Sequence, residues 1–321
     1  MEITITGANA MAFPHIHIWD WRVSLYLFLG GLSAGLAVMV AVMHIGRGKR
    51  EGLDAVSWIA PLLVPLILAI GMFFIFLDLE RKLYVFWFYL TVQPLSPMSW
   101  GSWGLLGFFP LSILFALAVL PQQHYGYLRL PQLQRFAARL RPFTEYLALA
   151  NLGMGILIGI YTGVLLSSFI ARPFWNSAIL PLLFLISALS SGAALMIILA
   201  RQKQIKLLFT KIEILLIAAE MIVLPLFFYG QYTSSGAHRA SILPFFAFTH
   251  EYLWYSVAIL LIGVIFPFAL VLKLLEVRID HGEELSAKVV GRMHLSAALV
   301  LAGALIIRLA FVYAGQLSKF V

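Results

Sequence analysis

Trp19-Asp20-Trp21-Arg22 runs straight into Tyr26-Leu-Phe-Leu-Gly30-Gly31-Leu-Ser33-Ala34-Gly35. Two indole rings and a carboxylate–guanidinium pair stand at the mouth of an apolar helix. Small residues at 30, 31, 33, 34 and 35 then thin one flank of it. Tryptophan is enriched where a membrane meets water, and small residues let a second helix approach closely. The stretch therefore reads as the start of a membrane span with a polar mouth and an open side.

The rest of the chain agrees. Its 321 residues are 62% hydrophobic and 11% charged, with mean hydropathy +0.96, against about 25% charged residues in a soluble domain. Apolar runs of roughly 20 residues can cross a bilayer. Such runs fall at about 22–45, 57–78, 102–120, 146–170, 176–200, 212–232, 252–274 and 291–315. The fold expected is an all-α integral membrane protein of eight transmembrane helices. The segments after spans 1, 3, 5 and 7 are basic: Arg47, Lys49 and Arg50; Arg129, Arg135, Arg139 and Arg141; Arg201, Lys203, Lys206 and Lys211; Arg278 and Lys288. The positive-inside rule then puts both termini on the outer, periplasmic side of a cytoplasmic (inner) membrane. That placement accounts for the net charge of +8 as a topology signal and implies no nucleic-acid partner. The N-terminus lacks the pattern of a cleavable signal peptide, so the first span is expected to direct insertion.

Leu32-Ser33-Ala34-Gly35 is echoed by Leu189-Ser190-Ser191-Gly192, 157 residues later. Spans 1 and 5 run in the same direction. The echo suggests two parallel four-helix halves, 1–170 and 171–321, related by an axis along the membrane normal. Chance likeness between Ser/Gly/Ala-rich helices is the alternative.

Polar residues inside spans are few, and ionisable groups there face a cavity or a partner. Glu220 lies near the middle of span 6, with Glu213 two turns away on the same face. Arg308 lies in span 8, and Asp78, Glu80, Arg81 and Lys82 cluster where span 2 ends. Two readings are open: a buried pair such as Glu220 with Arg308, or a proton route through Glu220, Glu213, Asp78 and Arg308. Tyr161, flanked by Gly159 and Gly163 in span 4, either anchors at the interface or donates a hydrogen bond in an apolar pocket. The chain has no cysteine, which excludes thiolate-ligated iron–sulphur clusters, thiolate haem and disulfides within it. Of the eight histidines, only His44 with His294 offers a haem pair, and no metal site is expected. A secondary transporter fits eight spans with a mid-membrane carboxylate, and a ligand-free structural anchor fits as well.

Four motifs carry a family resemblance: Trp19-Asp20-Trp21 with Tyr26–Gly35; Leu77-Asp78-Leu79-Glu80-Arg81; Ser96-Pro97-Met98-Ser99-Trp100-Gly101; and Tyr161-Thr-Gly-Val-Leu-Leu-Ser-Ser168. The run from Arg172-Pro-Phe-Trp-Asn176 to Ser190-Ser-Gly192 extends the match to span 5. The chain resembles the NrfD/polysulfide reductase membrane-subunit family, with Glu80 standing where the family commonly has glycine. The resemblance implies a haem-free membrane anchor that binds quinone or menaquinone. Such a subunit exchanges electrons between the quinol pool and a ferredoxin-like iron–sulphur partner on the outer face. A molybdenum- or haem-containing catalytic subunit would lie beyond that partner. It also implies a quinone head group near the outer face, held by Tyr161 and, on the span 1 side, by His17, Asp20 or Trp21. Quinol oxidation is the expected direction, by a subunit that is not catalytic alone.

Overall fold

The computed structural model describes residues 19–45, 55–122, 124, 130–248, 250–275 and 286–318. His17 lies outside them, as do Arg47, Lys49, Arg50, Arg129 and Arg278. The described residues form helices only: α1 (Trp21–Ile45), α2 (Val56–Asp78), α3 (Val85–Leu90), α4 (Pro97–Val119), α5 (Pro131–Leu140), α6 (Thr144–Ser167), α7 (Leu180–Leu199), α8 (Lys203–Thr233), α9 (Gly236–Ile242), α10 (Tyr252–Ala258), α11 (Phe266–Leu275) and α12 (Ala287–Leu317). A π-helical stretch, Ile259–Ile265, joins α10 to α11. Eight of the resulting segments among the described residues are long and apolar enough to cross a membrane.

The spans sit where hydropathy places them, but several outrun it. α8 starts at Lys203 and α4 at Pro97, because hydropathy marks the bilayer core while the helix continues into the headgroup layer. The basic connection after span 3 also holds a helix, α5, whose pattern is strongly amphipathic. Ala137 is buried on one side, while Arg135 and Arg139 are exposed on the other.

α1 is the central helix and packs against α2, α6, α7 and α12. Its small-residue flank explains how. Gly35 faces the Ala188 carbonyl of α7, and Gly192 of α7 faces the Gly35 backbone, so a Cβ on either would overlap the other helix. Ser33 donates to the Val64 carbonyl at 2.9 Å and ties the same region to α2.

A second knot closes the end of the bundle where α1 begins. The Gln316 side chain accepts from the Trp19 N–H at 2.9 Å and donates to the Trp19 carbonyl at 2.8 Å. Trp175 donates through Nε1 to the Phe311 carbonyl at 2.7 Å, and Arg172 donates to the Ser318 carbonyl at 3.0 Å. Arg172 also donates to the Gln316 carbonyl, one of the last four of α12 that have no intrahelical partner. Beneath it, the rings of Phe174, Phe227, Phe245 and Phe311 pack against one another at 5.0–5.5 Å.

Candidate functional site

At the same end, among the first helices, the bundle is hollow. A cavity of about 490 Å³ opens between the start of α1, the end of α2, the start of α4 and the end of α6, with α3 over it. Its walls are apolar, formed by Leu27, Met72, Phe73, Phe76, Met98 and Leu105. Polar groups reach it from Tyr26, Asp78, Tyr89, Ser102 and Tyr161. An apolar pocket with few convergent polar groups is the usual form of a small-ligand site.

Each phenol arrives by a different helix. Tyr161 projects from α6, and its ring end lies where a side chain on Gly101 of α4 would stand. The absence of a Cβ at 101 therefore makes room for the Tyr161 hydroxyl. Tyr26 is buried on α1, within electrostatic range of Tyr161 and Tyr89. Tyr89 closes the cavity from α3, and burial pushes its phenol above the ordinary value, so it stays protonated and able to donate.

The sequence-expected residues fall into three places. Tyr161 and Asp78 line the cavity. Asp20 and Trp21 stand beside it, outside its lining. Asp20 accepts from the Arg22 backbone N–H at 2.8 Å and pairs with Arg22 Nε at 3.4 Å. Arg22 also donates to the Leu77 carbonyl at 3.4 Å, which puts this cluster next to Asp78. Trp21 is half exposed and packs edge-on to Phe74, while Trp19 faces the cavity and packs on Trp175 and Phe169.

Glu213, Glu220 and Arg308 lie in the interior between α7, α8 and α12, apart from the cavity lining. Arg308 Nη1 donates to Ser187 Oγ at 2.5 Å, and Glu220 lies within electrostatic range of the Arg308 guanidinium. The Arg308 guanidinium also donates to the Phe184 carbonyl and lies 4.6 Å over the Phe184 ring. Glu213 is fully buried, and neither carboxyl oxygen has a hydrogen-bond partner among the described residues. Asp78 stands on the cavity wall, so the structure brings together Glu220 and Arg308 but leaves Asp78 on another surface. His44 bonds the Val40 carbonyl and His294 bonds Lys206 Nζ at 2.7 Å. Among the described residues no group of His, Asp and Glu is arranged to hold a metal.

Sequence reasoning missed Tyr26 and Tyr89. Tyr26 stands one turn from Val23 and Gly30 on the small-residue side of α1, a signal that could have drawn notice. Tyr89 sits in an aromatic run with no periodic mark.

A polytopic helical membrane protein with a phenol-lined, apolar-walled cavity at one end of its first helices is the class these features define. The family model described as "Polysulphide reductase, NrfD" matches residues 9–319, and the chain belongs to that family. It is 30% identical to the C chain of polysulfide reductase from Wolinella succinogenes, over 93% of this protein and 94% of that one. It is 27% identical to protein NrfD of Escherichia coli over 98% and 99% of the respective proteins. A shorter match, 31% identical, spans 62% of this protein and 54% of the C subunit of tetrathionate reductase from Salmonella typhimurium. Eight apolar spans and this membership make it a multi-pass protein of the bacterial inner membrane.

Proposed function

We propose that this protein is the quinone-binding membrane anchor of a respiratory reductase complex, passing electrons from menaquinol to an iron–sulphur partner on the outer face. The single observation that carries the reading is the cavity with Tyr161, Tyr26, Tyr89 and Asp78 in apolar walls. Relatives whose names make them components of polysulfide and tetrathionate reductases support a place in a multi-subunit complex. The partner would in turn serve a molybdenum- or haem-containing catalytic subunit.

In this reading the quinol ring lies in the cavity with its tail along α2 and α4. Tyr161 holds one ring oxygen through its hydroxyl. His17, or Asp78 with the neighbouring Asp20–Arg22 pair, takes the two hydroxyl protons in turn and releases them outward. Oxidation of the quinol yields an electron pair for the partner and protons for the outer water, and the ring leaves as quinone. Tyr161→Phe should cut quinol-dependent electron transfer while leaving the complex assembled; unchanged turnover removes Tyr161 from the mechanism.

The reading includes an orientation with both termini outside and two parallel halves, 1–170 with the quinone site and 171–321 without. Gly35 against Gly192 supports the duplication, as do Pro110 and Pro267, which share the 157-residue offset. A proton route through Glu213 and Glu220 is a separate proposal, tested by the proton-to-electron ratio of Glu220→Gln in proteoliposomes. A transporter would call for broken helices in both halves. Span 7 has its π-helical stretch, but its counterpart α4 runs unbroken through Pro110.

A further inference from the structure

The cavity and the buried carboxylates leave one built feature unused, the helix α5 at the end of the bundle opposite the cavity. Its residues divide cleanly. Ala137 is buried and Leu133 and Leu140 half-buried toward α4, while Arg135, Phe136 and Arg139 are exposed. Arg135 and Arg139 are four residues apart, hence on one helix face. Neither pairs with a carboxylate among the described residues, including Glu145 on the first turn of α6. By contrast, Arg141, at the elbow between α5 and α6, donates to the Leu120 carbonyl at 3.0 Å and holds α5 against the end of α4. The helix is thus fixed in place with its cations pointing away from the protein.

Below the elbow, apart from the exposed Glu145, the surface is hydrocarbon. Phe143, Tyr146, Leu149 and Leu157 are all exposed, with Gly153 between the last two. Residues at this spacing fall on one side of α6, and α6 carries them from the elbow toward the bilayer centre. Nothing approaches the Cβ position of Gly153, so the stripe has a shallow, open track. A helix at the end of a span, with two cations and an aromatic on its exposed side, has the chemistry of an interfacial lipid contact.

We propose that α5 is an anionic-phospholipid site: Arg135 and Arg139 engage the headgroup phosphate, and an acyl chain lies along Phe143, Tyr146 and Leu149. Charge complementarity selects this occupant, because unpaired guanidiniums beside a lipid-facing stripe meet phosphates at that depth. Guanidinium favours phosphate by its planar, forked donors. The site extends the orientation proposed above, in which this end faces the cytoplasm and its anionic leaflet.

The test is lipid retention by the purified full-length protein in mixed phosphatidylglycerol/phosphatidylcholine nanodiscs, read by native mass spectrometry after extraction. The wild type should enrich phosphatidylglycerol roughly tenfold, and the enrichment should fall as salt is raised. Arg135→Gln/Arg139→Gln should lose it, while Arg135→Lys/Arg139→Lys should keep most of it. No enrichment by the wild type, enrichment indifferent to salt, or full retention in the glutamine variant overturns the proposal. Arg47→Gln/Lys49→Gln/Arg50→Gln, which removes the cations after the first span instead, should keep the enrichment; its loss in that variant while the Arg135→Gln/Arg139→Gln variant retains it overturns the site. Neither quinol nor partner takes part in the measurement, so its outcome is independent of the quinone reading.

Discussion

The ring of Tyr161 occupies the space that a side chain on Gly101 would need. Two helices, α4 and α6, are therefore matched at one point of the cavity wall. Gly101→Ala should displace the phenol while leaving the rest of the bundle in place. Misplacing a positioning group by about an ångström can cost on the order of a hundredfold in rate, so quinol turnover should fall between tenfold and that figure. Quinol-driven reduction by the assembled complex measures it. Wild-type turnover in this variant would show that the Tyr161 position is unimportant.

Tyr26 and Tyr89 are reached only through the folded structure, and they make a separable prediction. If they orient the ring that Tyr161 holds, Tyr26→Phe and Tyr89→Phe should each raise the KM for quinol several-fold, about 1 kcal/mol per lost hydrogen bond. Tyr161→Phe should act mainly on kcat. Steady-state kinetics with a soluble quinol analogue distinguishes the three, and identical effects on KM and kcat at all positions would defeat the division of roles.

Gln316 clamps both backbone groups of Trp19, and Trp19 lines the cavity. Gln316→Ala should loosen that wall without touching the phenols. The expected result is weaker quinol binding, roughly fivefold, with little change in maximal rate. An unaffected KM would mean that the α1 start is held well enough by Trp175 and Phe169.

Ser187 accepts from the Arg308 guanidinium. Removing the hydroxyl leaves a buried guanidinium donor without that acceptor, which costs about 1–3 kcal/mol. Ser187→Ala should therefore lower the thermal midpoint of the purified protein by several degrees. A midpoint equal to wild type would mean that this contact adds nothing to stability.

The two glycines of α1 separate packing from passive smallness. No atom lies near the Cβ position of Gly30, whereas that of Gly35 is taken by the Ala188 carbonyl. Gly30→Ala should be tolerated. Gly35→Ala should cost about 1–3 kcal/mol by overpacking, seen as reduced yield of folded protein and a lower midpoint. Equal behaviour of the two variants would contradict the crossing.

Much of this was legible in the residues themselves. Eight apolar runs fix the number of spans, and the small residues of 30–35 point to close packing. Tyr161 and Asp78 could be singled out because polar groups are scarce in a membrane protein. What could not be read was convergence. Tyr26 and Tyr89 become a site only when α2 and α4 close around them. Trp19 rather than Trp21 faces the cavity because Gln316, almost three hundred residues later, fixes its backbone. Asp78 and Glu220 look alike in a hydropathy plot, yet one stands on the cavity wall and the other beside Arg308. The helix at α5 escaped because its mean hydropathy is low; its order lies in periodicity, which an average over a window removes.

The crossing of Gly35 with Gly192 also constrains how the protein is made. α1 emerges from the ribosome long before α7 exists, yet its Gly35 is shaped to meet the Ala188 carbonyl of that helix. During synthesis that face must rest on lipid or on the insertion machinery until the fifth span is delivered, and the central helix has all its neighbours only once α12 arrives.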